Sequence, residues 1–255
     1  MNTPLSRIFA RPFWGPGLYF RFLFVSLTEE SIFSYLSVKN NPMDLYRTSA
    51  GEIGIQPLGH GSVMLRWQDK IVQVDPYSAV ADYTQLPQAD MILVTHNHYD
   101  HYDPTAIEAT RKSDTILIGK FPDDTPIARR IPLDNGEKTQ WEGIDIKAVP
   151  AYNLIHFRAP GEPFHPKGFG NGYLLKVGDQ ILYIAGDTEL IPEMRNLGPI
   201  DIAFLPQNLP YTMDVDMFIE AAQLIRPRIL YPYHYDKIDR AALEKALPDI
   251  KLCWK

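Results

Sequence analysis

Two β-sheets packed face to face between helices, an α/β architecture, is what this sequence predicts. Three observations carry that expectation. Short β-rich runs recur from about residue 50 onward. Helical periodicity is confined to three brief stretches, each opening with an aspartate that can cap orphan N–H groups. A chain of 255 residues, 45% hydrophobic and 22% charged, is long enough and apolar enough to bury one large core.

The strand runs are, in order, GEIGIQPL (51–58), SVMLRW (62–67), KIVQVDP (70–76), MILVTH (91–96), TILIG (115–119) and IDIKAVPAY (144–152). GYLLKV (172–177), QILYIAGD (180–187), DIAFLP (201–206) and RILYPYHY (228–235) follow. The helical stretches are DPTAIEATRK (103–112), DVDMFIEAAQLIR (214–226) and DRAALEKAL (239–247). The first half is thus mostly strands and tight turns, and the second half ends strand, helix, strand, helix. Polar residues emerge where several apolar runs stop. Residues 1–42 do not share the pattern. Arg7 and Arg11 precede an aromatic run, but Pro12, Gly15, Pro16, Gly17 and Arg21 interrupt it and no small-x-small cleavage site follows. The segment reads as an N-terminal extension on a domain spanning 43–255.

The net charge of −6 gives no basic footprint for nucleic acid. No run approaches the roughly 18 apolar residues of a membrane span. The one cysteine, Cys253 in the apolar tail IKLCWK, cannot form an internal disulfide and reads as a packing residue. A cytoplasmic protein acting on a small molecule fits these facts.

The chemistry is concentrated in THNHYDHYD (95–103), which holds three of the seven histidines directly behind the apolar run MILV. Within it, His96, His98, Asp100 and His101 form a His-x-His-x-Asp-His pattern. Alternation along an extended backbone sends His96 and His98 to one side, where they can hold one divalent cation. A turn then brings Asp100 and His101 toward a second. One loop cannot complete two coordination shells. Asp187, ending ILYIAGD, and His234, ending RILYPYH, are the distant strand-end ligands the site requires.

These residues resemble the metallo-β-lactamase-fold hydrolases over roughly residues 51–234: VDP with Asp75, THNHYDH, GDT with Asp187, and YHY with His234. GHGSV (59–63), VPAYN (149–153) and GDTELIPEM with the later LPYTMD resemble in particular the ascorbate-6-phosphate lactonase-like group. The resemblance implies a four-layer αββα sandwich with metals at one edge. It implies His96 and His98 in a first site, Asp100, His101 and His234 in a second, and Asp187 between them. The superfamily normally adds a third histidine to the first site. VPAYN offers Tyr152 and Asn153 there instead, so the ligand falls to His165, ahead of a Gly-rich turn, or to His156. His165 is the better placed.

Asp75 is the natural carboxylate to orient a ligating imidazole. His60 either helps it or is a turn residue satisfied by backbone. Two divalent ions, zinc by preference with manganese or iron compatible, would share a water and lower its pKa from 15.7 to roughly 7. The resulting bridging hydroxide would attack a small ester, lactone or phosphodiester, with Asp100 and Asp187 as catalytic groups. Arg158 and Lys167, around His165, are candidates to bind an anionic group. The alternatives are a di-iron redox protein on the same fold and a non-catalytic relative. His98 stands where the di-iron relatives carry Glu, and the near-complete ligand set opposes lost metals.

Overall fold

A computed structural model describes residues 43–254; the expected N-terminal extension, 1–42, lies outside them. Two seven-stranded sheets dominate. The first contains β1 (Asp44–Thr48), β2 (Gly51–Gly59), β3 (Ser62–Trp67), β4 (Lys70–Val74), β5 (Ala89–Val94), β6 (Arg111–Gly119) and β7 (Arg130–Pro132), in chain order. The second contains β8 (Lys138–Trp141), β9 (Ile144–Ala151), β12 (Gly170–Val177), β13 (Gln180–Ile184), β14 (Ile202–Pro206), β15 (Ile229–Tyr233) and β16 (Lys251–Leu252). A small ribbon, β10 (Phe157–Ala159) with β11 (Glu162–Pro163), stands apart.

The sheets share one plan. From β1 to β4, and from β8 through β9 and β12 to β13, neighbours run antiparallel. From β4 to β7, and from β13 to β16, they run parallel. The parallel strands therefore deliver their C-terminal ends to a common edge.

Period-two alternation builds the layers. Val72, Val74, Met91 and Leu93 of the first sheet meet Tyr173, Leu182, Ile184, Phe204 and Tyr231 of the second in the central core. The intervening residues face outward. Ile92 and Val94 pack under α1 (Pro104–Thr110) with Ile107, and Tyr183, Ala203, Leu205 and Leu230 pack under α2 (Val215–Ile225) with Phe218 and Ala222. Burial on both faces is why MILV and IAFL read as continuous apolar runs rather than alternating ones. The four layers are those of an αββα sandwich. Its short third helix, α3 (Arg240–Ala246), adds Leu243 to the α2 side. Each expected aspartate caps its helix: Asp103 accepts from the Thr105 N–H, Asp214 from Met217 and Asp239 from Ala242. Cys253 is partly buried against the central core, with its sulfur 3.9 Å from Tyr46 Oη.

Candidate metal centre

The strand ends at the common edge bring the ligand-type side chains together. Asp75 follows β4, His96 and His98 follow β5, Asp187 follows β13 and His234 follows β15. The local backbone is built for this. His60, Asp75 and His234 all adopt positive φ, at 49°, 44° and 50°. Such conformations cost on the order of 1–3 kcal/mol each and persist where the surroundings over-determine them. A backbone bond from His234 N–H to His60 O, 2.8 Å, ties two of them together. Gly61 is required beside them, since a Cβ there would lie 2.8 Å from His101 Cε1. Gly186, at φ 66°, sets Asp187 at the end of β13, and a Cβ there would meet Asn171 O at 2.5 Å.

Three groups each bring their donor atoms within 4.8 Å of one another: His96, His98 and His165; His60, Asp100, His101 and His234; and His96, His101 and Asp187. His96 Nε2 is 3.1 Å from His98 Nδ1. The Asp187 carboxylate sits among the rest, with Oδ1 3.4 Å from His101 Nε2 and Oδ2 3.4 Å from His165 Nε2 and 3.2 Å from His234 Nε2. Two ligands on one tetrahedral ion with bonds of 2.0–2.1 Å lie about 3.3 Å apart, so these separations fit a shared cation. His101 Nε2, Asp187 Oδ1 and His234 Nε2 are buried and have no hydrogen-bond partner. Buried polar atoms left unsatisfied cost about 1–3 kcal/mol each. Three of them converging from three strand ends are what a metal would satisfy, and the nitrogen and carboxylate donors suit a divalent ion.

Partners on the far side of His101, His96 and His165 orient these three rings. Asp75 Oδ2 accepts from His101 Nδ1 at 2.8 Å and from Thr95 Oγ1 at 2.6 Å, and Oδ1 accepts from Thr95 N–H. With its proton given to Asp75, the Thr95 hydroxyl can accept from His96 Nδ1, 3.0 Å away. Both histidines are thereby turned with Nε2 inward. Asn153 does the same for His165. Its Nδ2 donates to Glu189 Oε1 and Tyr211 O, leaving Oδ1 to accept from His165 N and Nδ1 at 2.9 and 2.8 Å. His60 Nε2 lies 2.9 Å from Asp100 Oδ2, so it orients a carboxylate rather than an imidazole.

The electrostatics follow. Burial, reinforced by neighbouring imidazoles, pushes His96 well below the usual histidine range and His165 down to about 4. Burial also lowers His98. These three rings are neutral near pH 7, with lone pairs free, as a metal ligand requires. Burial opposes charge on Asp187 and Asp100. His234 and His101 nevertheless hold Asp187 well below the usual carboxylate range, and the His60 hydrogen bond and His101 hold Asp100 at about 2. His101 is buried too, but Asp187 and Asp75 outweigh that and raise it well above the histidine range. A cation between His101 and Asp187 would take the place of that proton.

Two expectations separate here. Arg158 lines the cleft above the site with Tyr99, Phe164, Asn208 and Tyr211, its guanidinium 5.6 Å over the Phe164 ring. Lys167 does not line it. Glu193 and the Tyr152 ring draw its ammonium away, at 2.6 and 4.9 Å. His156 is turned to Glu189, Nδ1 2.7 Å from Oε1, and Tyr152 Oη donates to Glu193. Thr95 and Asn153 as orienting groups were not read from the sequence. Asp75, which turns the Thr95 hydroxyl toward His96, lies 20 residues from it, and His165 lies 12 from Asn153, so no local pattern announces either role.

Known proteins resemble the chain in family and in fold. The model of the beta-lactamase superfamily domain matches residues 54–234. A UPF0173 metal-dependent hydrolase of Nanoarchaeum equitans is 30% identical over 192 residues, covering 71% of this chain and 83% of its own. Its Thermus thermophilus counterpart is 30% identical over 194 residues, covering 72% and 84%. A crystal structure assigned as a metal-dependent hydrolase from Parabacteroides distasonis has TM-score 0.77 and 43% identity, covering 84% of this chain and 98% of that one. Igni18, a metallo hydrolase from Ignicoccus hospitalis, shares the fold at TM-score 0.64 and 20% identity, over 80% of this chain and 94% of its own. The family match over residues 54–234, the relatives at 30% and 43% identity and the αββα sandwich together place the chain in the beta-lactamase superfamily, as a metal-dependent hydrolase.

Proposed function

We propose that the chain hydrolyses a small ester, lactone or phosphodiester at a binuclear centre, zinc by preference, in the cytoplasm, with the domain occupying 43–255. His96, His98 and His165 hold one ion, Asp100, His101 and His234 the other, and Asp187 reaches both. The observation that carries this is the single Asp187 carboxylate lying 3.4 Å from His165 Nε2 and 3.2 Å from His234 Nε2, members of the two different groups.

Two divalent cations held there would supply Lewis acidity toward a carbonyl or phosphoryl oxygen and would lower the pKa of water toward neutral. The chain supplies the rest. Asp75, Thr95 and Asn153 hold three ligand rings with Nε2 inward. Asp100 lines the cleft, ionised and oriented by His60 through Oδ2, so its other oxygen, Oδ1, can take up a proton and pass it toward a leaving group. The cleft has a volume of about 530 Å³, the size of a small-molecule site. Arg158 on its wall suits an anionic group on the substrate. Among the described residues no helix is long and apolar enough to cross a membrane.

The test is metal content together with turnover of chromogenic lactones, esters and phosphodiesters. Two divalent ions per chain are expected. Chelation should abolish turnover and lower the melting temperature, since an ion at a hundred times its Kd stabilises by about 2.7 kcal/mol. Protein that takes up no transition metal, and melts unchanged in its presence, overturns the reading.

A further inference from the structure

Glu189 is a fully buried carboxylate outside the ligand set. Its oxygens face a single short loop. Oε1 accepts from Asn153 Nδ2 at 3.0 Å and His156 N at 2.7 Å, and lies 2.7 Å from His156 Nδ1. Oε2 accepts from Leu154 N at 2.6 Å and Ile155 N at 2.7 Å. Four consecutive residues thus close round one charge, in charge-assisted bonds about twice as strong as neutral ones. Asn153 is the member that matters for chemistry. With Nδ2 committed to Glu189 and to Tyr211 O, its Oδ1 can only face His165, where it takes both N–H and Nδ1.

We infer that Glu189 is a positioning residue for the three-histidine group: it fixes the Asn153 amide, which fixes the His165 ring with Nε2 inward. The inference rests on the reading that His165 holds a cation. It also gives His156 a role, as a donor to Glu189 rather than a ligand. The adjacency is economical, because Asp187 and Glu189 leave the same strand end. One reaches the ions and the other holds the loop that presents the third ring. A glutamine at 189 cannot substitute. It keeps one acceptor, and its amide hydrogens would confront either the Leu154 and Ile155 N–H groups or the Asn153 and His156 donors.

The experiment uses the full chain, stripped with chelator and titrated with zinc and with cobalt, reading affinity for each equivalent and the visible cobalt spectrum. Glu189→Gln is expected to weaken one of the two equivalents by roughly 10–100-fold, the range for losing a group that orients a ligand, and to alter one cobalt band. The other equivalent stays at wild-type affinity. Glu189→Asp, which keeps both acceptor oxygens, recovers part of the loss. Asn153→Ala weakens the same equivalent, whether or not Glu189→Gln folds. Glu193→Gln, which breaks only the Lys167 and Tyr152 contacts, leaves both equivalents unchanged. In a His165→Ala background, Glu189→Gln shifts the remaining equivalent by less than about twofold, since nothing is left for it to position. Wild-type affinities in Glu189→Gln or Asn153→Ala overturn the inference. So does a loss from Glu189→Gln that is as large without His165 as with it. Wild-type protein that takes up no metal overturns the ligand reading, and this inference with it.

Discussion

The two ends of β5 face opposite problems. At its start, Asp90 is met by complementary groups: Lys112 Nζ donates to Oδ1, Ile71 N–H donates to Oδ2 at 2.9 Å, and Lys70 stands 3.9 Å away. The Thr115 hydroxyl closes the neighbouring Ala89 carbonyl. Six residues later the chain leaving the same strand delivers His96 into a cluster where His101 Nε2, Asp187 Oδ1 and His234 Nε2 are buried without a hydrogen-bond partner. Positive-φ residues gather at that end too. One end is satisfied by the fold. The other holds backbone strain and buried polar atoms that a bound cation would satisfy, which makes it the candidate functional end by a physical criterion.

The sharpest way to break this contrast is Asp187→Asn. It keeps the shape but removes a negative charge lying among His101, His165 and His234. Hydrolysis is expected to fall at least about a hundredfold, the scale for losing one preorganised electrostatic group, with at least one ion bound more weakly. Turnover near wild type with two ions retained would reduce Asp187 to an ordinary turn residue.

Asp75→Asn probes how far the functional end depends on one orienting group. The buried Asp75 carboxylate serves His101 directly and His96 through Thr95, and so reaches both candidate sites. An amide has one acceptor oxygen for these donors. Metal affinity at both sites is expected to fall roughly 10–100-fold. Titration in which only the site of His101 weakens would show that the Thr95 link carries nothing.

The same contrast explains what the sequence made legible. Strands buried on both faces, such as β5 and β14, announce themselves as apolar runs. The edge strand β1 (DLYRT) is largely exposed and its composition carries no such signal. The His-x-His-x-Asp-His run is legible because its residue types are rare and adjacent. Asp187 and His234 are legible because each ends a strong strand. What stays hidden is set by distant pairing. His60 meets Asp100 across 40 residues, and Glu189 meets Asn153 across 36. Lys167 shows the same limit from the other side. Its loop suggested an anion site, but Glu193, 26 residues on, claims its charge.

The smallest effect is expected at the satisfied end, from Asp90→Asn. Burial works against the Asp90 charge, yet the Lys112 hydrogen bond, the Ile71 N–H and the two lysine charges outweigh it and hold the carboxyl below its ordinary value. A carboxylate whose folded pKa is depressed stabilises above its unfolded pKa, and that stability is lost as pH falls through the folded value. The partners are only partly buried, so the contribution is about 1 kcal/mol. At pH 7 the variant should therefore unfold with a slightly lower denaturant midpoint than wild type, and the gap should close as the pH drops below about 4, the unfolded pKa of aspartate. Metal affinity should not change, because Asp90 sits at the opposite end of β5 from His96, six residues away along an extended strand. A gap that persists unchanged in acid would mean that packing, not charge, ties down this end. A loss of metal from Asp90→Asn would mean that the two ends of β5 are not separable, and the contrast between them would fail.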